Sequence, residues 1–353
     1  MDLLALTAEL IGIPSVSHGE AALADRIEEE LRARPGLEVE RIGDSVVART
    51  ALGQSRRLLL AGHLDTVPPS GPAGARIEGD AVSGLGAVDM KGGLAVLLDL
   101  ARSVPEPAVD VTYLFYACEE VERHHNALGR LALDRPELLA ADAAVLGEPT
   151  GGRVEAGCQG TMRATVSKGG RRAHTARPWT GRNAVHRLLP VLEALDRYQP
   201  RAVVIDGCEY TEQLQAVRIE GGVAGNVVPD SASCTVNYRF APDRTPAQAE
   251  AELGRLLDVG PDPAEGDSLT VVDVAAGAPP SLDHPLLAAL VAATGSAPRA
   301  KLGWTDVATF WAAGIPATNF GPGDPLLSHT PDEVVTRAEL EAVRAVLAGV
   351  LGG

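Results

Sequence analysis

Leu58-Leu-Leu-Ala-Gly-His-Leu-Asp-Thr-Val-Pro68 joins a short apolar run to a polar cluster, and the fold is read outward from that junction. Leu58 to Ala61 has the character of a core strand, and Gly62 lets the backbone turn at its end. His63 and Asp65 then follow at the carboxyl end of the strand, the edge at which open α/β sheets bind ligands. Residues two apart share one face of an extended segment, so the His63 imidazole and the Asp65 carboxylate can point together. A carboxylate beside an imidazole fixes its tautomer and makes it a better metal donor.

The same pattern recurs along the chain. Val111 to Ala117 is a nearly continuous apolar run, the mark of an interior strand covered on both faces, and it leads directly into Glu119-Glu120. Ala143 to Leu146 is another, and it ends in Gly147-Glu148-Pro149-Thr150. Ala87-Val-Asp-Met-Lys-Gly-Gly93 precedes an apolar helix, Leu94 to Ala101, which sets Asp89 at the mouth of a helix. Asp65, Asp89, Glu119, Glu120 and Glu148 would repel one another at one sheet edge unless a cation compensates them. With His63 and His329 they form a donor set for a metal pair, because zinc takes imidazole and carboxylate ligands and two-metal hydrolases hold their ions about 3.5 to 4 Å apart.

Around these motifs the spacing predicts helices over 3–11, 19–34, 286–294 and 339–351, and strands over 39–49, 57–61 and 317–320. From about Gly157 the texture changes. Strands over 161–167, 214–220, 233–240 and 268–274, with helices over 183–198 and 246–257, give the β-α-β-β-α-β order of a ferredoxin-like unit. The expectation is an α/β, doubly wound, mixed-sheet catalytic domain formed by residues 1–156 and 277–353, interrupted by an inserted α+β domain over 157–276.

Composition narrows the function. The 353 residues are 45% hydrophobic, ample for packed cores, while 3% aromatic content and a net charge of −16 disfavour nucleic acid as a partner. No apolar run approaches the roughly 18 residues that span a bilayer, and the chain reads as a cytoplasmic protein. Cys118, Cys158, Cys208 and Cys234 are too scattered for a disulfide scaffold and read as buried small hydrophobes. Against the acidic average, Lys168 to Arg187 carries Lys168, Arg171, Arg172, Arg177, Arg182 and Arg187 without one acid, either a solvated face or a patch that attracts a polycarboxylate substrate. His124 and His125 read as a solvated helix start, and His18, His186 and His284 as structural. Asp306, in Gly303-Trp-Thr-Asp, reads as a helix cap or a substrate-loop residue.

Taken together, His63-x-Asp65, Asp89-Met-Lys-Gly-Gly, Glu119-Glu120, Gly147-Glu148-Pro149-Thr150 and His329 resemble the di-zinc aminoacylase and carboxypeptidase family over nearly the whole chain. The resemblance implies that Asp89 bridges two zinc ions per subunit, with His63 and Glu148 on one and Glu120 and His329 on the other; cobalt would substitute. It makes Asp65 the residue that orients His63 and Glu119 the general base, and it implies a cis peptide bond after Asp89. His174-Thr-Ala-Arg-Pro178 and Gly225-Asn-Val-Val-Pro229 are similar to the family's loops in the inserted, dimerising lid domain. By that likeness His174 of one subunit of a homodimer would serve the other's active site, with Arg177, Asn226, Arg239, Gly303 and Thr305 contacting an N-acyl amino acid.

Ala-Cys-Glu-Glu120, Glu155-Ala-Gly-Cys-Gln-Gly160, Gly303-Trp-Thr-Asp306 and Asn319-Phe-Gly-Pro-Gly-Asp-Pro325 resemble the branch that removes succinate from N-succinyl-diaminopimelate. Deacetylation of ornithine, aminoacylase or dipeptidase activity are the alternatives within the family. Cys118 and Leu85 depart from the family's usual Asp and Arg.

Overall fold

A strand that is apolar on both faces has to be covered on both, and this requirement organises the first of two compact units. The computed structural model describes residues 2–71, 74–259 and 265–352. Arg57–His63 is a strand, buried from Leu58 onward, that pairs in parallel with Asp110–Tyr116 on one side and Ala143–Leu146 on the other. Ala317–Asn319 continues the parallel order beside Ala143–Leu146, and the hairpin Leu37–Ile42 and Ser45–Thr50 adds antiparallel strands beyond Asp110–Tyr116. The result is an eight-stranded mixed sheet. Leu58, Leu60, Val111, Tyr113 and Phe115 face a core shared with the helices Leu3–Ile11, Ala21–Arg32, Gly92–Ser103, Pro285–Thr294 and Arg337–Gly352. The alternate residues Leu59, Ala61, Leu114 and Tyr116 are equally buried, and Val307–Ala312 packs against Ala143–Leu146 and Ala317–Asn319. The fold is therefore α/β and doubly wound.

Local chemistry sets the helix starts. Asp2 accepts from the Leu4 and Ala5 amides, and Asn126 accepts from Leu128 and Gly129, each satisfying N–H groups that the first turn leaves without a partner.

The second unit comprises Cys158–Pro279 and Ala300–Thr305. Its sheet is antiparallel in the order Gln213–Gly221, Ser231–Phe240, Gly160–Gly169, Ser268–Ala275, with helices Leu189–Asp196 and Pro246–Leu256. This is the ferredoxin-like order. Met162, Ala164, Val166, Val236, Tyr238 and Phe240 alternate into its core. Thr245 opens the second helix with a reciprocal capping box to Gln248.

Several elements differ from the sequence reading. The strand expected over 39–49 is a hairpin, broken at Gly43-Asp44. The helix expected over 183–198 is a 3-10 turn, His186–Leu188, followed by Leu189–Asp196, because Pro190 lacks the N–H an earlier turn would need and suits a first turn instead. An unexpected hairpin, Ala202–Ile205 with Cys208–Thr211, turns at Asp206-Gly207, both at positive φ (48° and 78°) as a two-residue I′ turn requires. Residues 300–305, read as part of the first domain, pack with the second unit: Gln159 N donates to Lys301 O (3.2 Å) and Trp304 Nε1 to Ala276 O (3.1 Å).

Candidate metal centre and active site

Parallel pairing brings the carboxyl ends of the central strands to one edge, with His63 opposite Tyr116 and Ala61 opposite Leu146. His63 is the last residue of its strand. Gly62, expected to turn the chain, lies within that strand and serves close approach: a Cβ there would meet Met90 Cε at 2.8 Å and Leu94 Cδ2 at 2.6 Å. Gly93 does the same, since its Cβ would fall 2.2 Å from the Gly147 carbonyl oxygen. These two glycines let the helix that follows Asp89 seat against the strand ends. The Asp89–Met90 peptide bond is cis.

Asp89 divides its carboxylate between two imidazoles. Oδ1 is 3.0 Å from His63 Nε2, and Oδ2 is 3.5 Å from His329 Nε2. His329 Nε2 also lies 2.7 Å from Glu120 Oε1. One nitrogen of His63 and one oxygen each of Asp89 and Glu120 lie within 4.8 Å of one another. Glu148, buried just past Leu146, stands outside that tightest group. Burial opposes charge on His63, yet the carboxylates of Asp65 and Asp89 raise its pKa well above the ordinary value; hydrogen bonds to Asp89 and Glu120 push His329 up to about 10. Burial likewise opposes the Asp89 charge, and the two imidazoles hold its carboxyl far below the usual range. A cluster that so favours positive charge, built from nitrogen and oxygen donors with one carboxylate reaching both imidazoles, fits a pair of divalent cations.

Asp65 reaches both His63 and the Glu119-Glu120 turn. His63 Nδ1 donates to the Asp65 main-chain oxygen at 3.0 Å, and the nearest oxygen of its carboxylate is 3.6 Å away. The carboxylate also accepts from the amides of Glu119 (Oδ1, 2.9 Å) and Glu120 (Oδ2, 2.9 Å) and from Ser17 Oγ (Oδ2, 2.7 Å). Burial alone would raise this carboxyl, but His63 and the two amides bring it down to about 2. Glu20, also unforeseen, accepts from Cys118 N at 3.0 Å and supports the same turn. Burial, ahead of the neighbouring Glu148, Glu120 and Asp306, pushes Glu119 well above the usual carboxyl range, although His63 opposes it. A carboxyl raised in this way holds a proton more readily than an ordinary one, as a group that passes a proton on must.

Asp306 occupies a helix N-cap position without capping it. Its oxygens accept from Asn126 Nδ2 (2.7 Å) and Thr309 Oγ1 (2.5 Å). His124 is exposed, and the His125 ring lies edge-on to His18, centroids 4.8 Å apart.

All the expected substrate contacts lie in the second unit. Thr175 N donates to Asn226 O (3.1 Å) and Val228 N to Ala173 O (2.9 Å), so the loops of His174, Arg177 and Asn226 meet. Ala176 N donates to His174 Nδ1 at 3.0 Å, which places the ring proton on Nε2 and leaves it a donor. Gly303 and Thr305 ride on the segment that packs beside Cys158, and the Cys158 Sγ lies 3.6 Å from Thr305 O. Arg239, largely withdrawn from water, has its pKa lowered by burial and meets no carboxylate among the described residues. The basic segment is partly compensated. Lys168 and Arg187 share Asp267 (3.0 and 2.7 Å), Arg172 pairs with Asp230 (2.7 Å), and Arg182 pairs with Glu265, while Arg171 and Arg177 of this segment have no carboxylate partner among the described residues; three acids thus offset half of its six positive charges.

The chain is similar to known proteins over nearly its whole length. A Mycobacterium tuberculosis (strain H37Rv) protein provisionally named succinyl-diaminopimelate desuccinylase DapE is 52% identical over 353 residues, covering 100% of this chain and 98% of its own. The succinyl-diaminopimelate desuccinylase of Corynebacterium glutamicum is 46% identical, covering 98% and 95%. Among solved structures, a Bacillus subtilis protein described as a dinuclear metal binding peptidase from the M20 family superposes with a TM-score of 0.69 at 16% identity, covering 99% of this chain and 96% of that one. The profile of peptidase family M20/M25/M40 matches residues 59–352, and with relatives this similar over their full length the chain belongs to that family.

Proposed function

We propose that this protein is a metal-dependent amide hydrolase that removes succinate from N-succinyl-LL-2,6-diaminopimelate, in diaminopimelate and lysine biosynthesis. The observation that carries the reading is Asp89, with one carboxylate oxygen toward His63 and the other toward His329, beside a half-buried Glu119 that binds neither imidazole among the described residues. His63, Asp89, Glu120, Glu148 and His329 would hold two zinc ions per subunit, cobalt being able to replace them. The ions would supply Lewis acidity toward the amide carbonyl and lower the pKa of water.

The remaining chemistry belongs to the chain. Glu119 accepts a proton from the attacking water and returns it to the departing amine, a role its raised pKa suits. Asp65 fixes the main chain of Glu119 and Glu120, so both side chains leave the turn in set directions. Arg239 reads a substrate carboxylate in a desolvated place, where a guanidinium and a carboxylate pair strongly. His174 Nε2–H donates to the developing oxyanion, and in this proposal it comes from the second subunit of a homodimer.

A dimer is supported by the edge strand Gln213–Gly221. Val217 and Ile219 are 57% and 54% exposed on it, and a sheet edge that carries exposed apolar side chains is a surface that pairs with another strand. Among the described residues no helix is long and apolar enough to cross a membrane. We place the enzyme in the cytoplasm, acting on a small molecule and on neither nucleic acid nor membrane.

The test is product analysis with metal-reconstituted protein. Succinate release should exceed acetate release from N-acetylornithine, and equal or inverted rates would transfer the protein to another branch of the family.

A further inference from the structure

Glu333 plays no part in the chemistry described so far, yet it is 2% exposed and its carboxylate is aimed at the turn that carries Asp89. Val88 N and Asp89 N both donate to Glu333 Oε2, at 3.1 and 3.3 Å, and the Gly86 amide is turned toward the same carboxylate. The Glu333 main-chain oxygen accepts from Gly84 N at 3.2 Å. Glu333 directly precedes the strand Val334–Thr336, which pairs with Ala81–Ser83, the strand before the turn. On the other side of the turn Lys91, also 2% exposed, donates to Leu10 O (3.1 Å) and Ile13 O (2.7 Å), and its charge faces Glu333. One short segment thus brings His329 to one oxygen of Asp89 and clamps the Asp89 amide four residues later.

We infer that Glu333 is a positioning residue for the metal centre, holding the main chain of Val88 and Asp89 so that the Asp89 carboxylate is presented to both imidazoles. The inference rests on the reading of Asp89 as the ligand shared by two ions. Outer partners of metal ligands are worth roughly 10- to 100-fold in metal affinity. An acceptor that binds the ligand's own main chain acts in the same way, because freeing those two amides lets the carboxylate turn away.

The experiment is competition of the metal-free protein against a chromophoric chelator for Zn²⁺ and Co²⁺, with circular dichroism to confirm folding. Glu333→Ala should weaken binding by roughly 10- to 100-fold, and Glu333→Gln, whose amide oxygen still accepts from both N–H groups, should recover much of the loss. Glu333→Asp, one methylene short, should also weaken binding, and it serves if the alanine variant does not fold. At saturating metal the positioning role predicts a lower kcat with KM unchanged. Wild-type metal affinity in Glu333→Ala or Glu333→Asp, with only a lower melting temperature, would overturn the inference and leave Glu333 a brace. Asp89→Ala separates the two levels of the argument: if it keeps both ions, the reading of Asp89 fails; if it loses them while the Glu333 variants do not, only the present inference fails.

Discussion

Asp65→Asn changes no shape, yet it should be costly. The two oxygens of Asp65 accept three hydrogen bonds, from Glu119 N, Glu120 N and Ser17 Oγ, and the group is buried. Asparagine offers one acceptor oxygen. Whichever way its amide is turned, one of the two main-chain N–H groups meets an NH₂. A buried donor left without an acceptor costs about 1–3 kcal/mol, and a surviving bond that loses its charge gives up about 1 kcal/mol more. The sum is roughly 2–4 kcal/mol, or roughly 4–16 °C in melting temperature for a unit of this size. Calorimetry of the metal-free protein at neutral pH measures it. Ser17→Ala, which removes one donor and leaves both amides bonded, should cost only about 0.5–1.5 kcal/mol. The gap between wild type and Asp65→Asn should also depend on pH. The folded-state pKa of about 2 lies below the ordinary 3.8, so the stabilisation is present in full above pH 3.8 and is lost as pH falls toward 2. A cost for Asp65→Asn under about 0.5 kcal/mol at neutral pH, the level of an ordinary surface substitution, would refute the reasoning.

Glu119→Gln should keep its metal content while turnover falls by about 10²- to 10⁴-fold, the usual loss for a general base; loss of an ion on elemental analysis would mean that Glu119 and Glu120 have exchanged roles. Arg239→Ala should reduce kcat/KM for the succinylated substrate more than for a monocarboxylate analogue, and equal losses would remove Arg239 as a carboxylate reader. Mixing inactive His174→Ala subunits with inactive Glu119→Ala subunits should restore roughly a quarter of full activity, because half of randomly paired dimers contain one wholly wild-type site. If mixed dimers form and remain inactive, His174 does not act across an interface.

Much of the catalytic unit was legible in the sequence because its signals are local. Apolar runs ending in His63, Glu119 and Glu148 reveal interior strands and their functional ends together, and the Gly92-Gly93 pair after Asp89 marks the tight helix start. What escaped depends on partners distant in the chain. The segment 168–187 contains no acid, but Asp230, Glu265 and Asp267 fold back to pair with four of its cations and offset half of its positive charge. Alternation along the strand sets the Asp65 carboxylate toward His63, with one oxygen 3.6 Å from Nδ1, but its bonds to the Glu119 and Glu120 amides join positions more than 50 residues apart and have no local signal. Ser17, Glu20 and Glu333 carry no local signature, since each bonds to a group at least 48 residues away. The Asp206-Gly207 turn did carry a signature, the Asp-Gly pair of a two-residue hairpin, preceded by the β-branched run Val203-Val-Ile205.

The mechanism depends most directly on the number of ions that the centre needs. Metal-free protein titrated with Zn²⁺, with activity and bound metal measured on the same samples, should reach full succinate release at two ions per chain, and chelation should abolish turnover while the far-ultraviolet circular dichroism changes little. Full activity at one ion per chain, or in the absence of any, would contradict the shared role of Asp89 between His63 and His329 on which the mechanism depends.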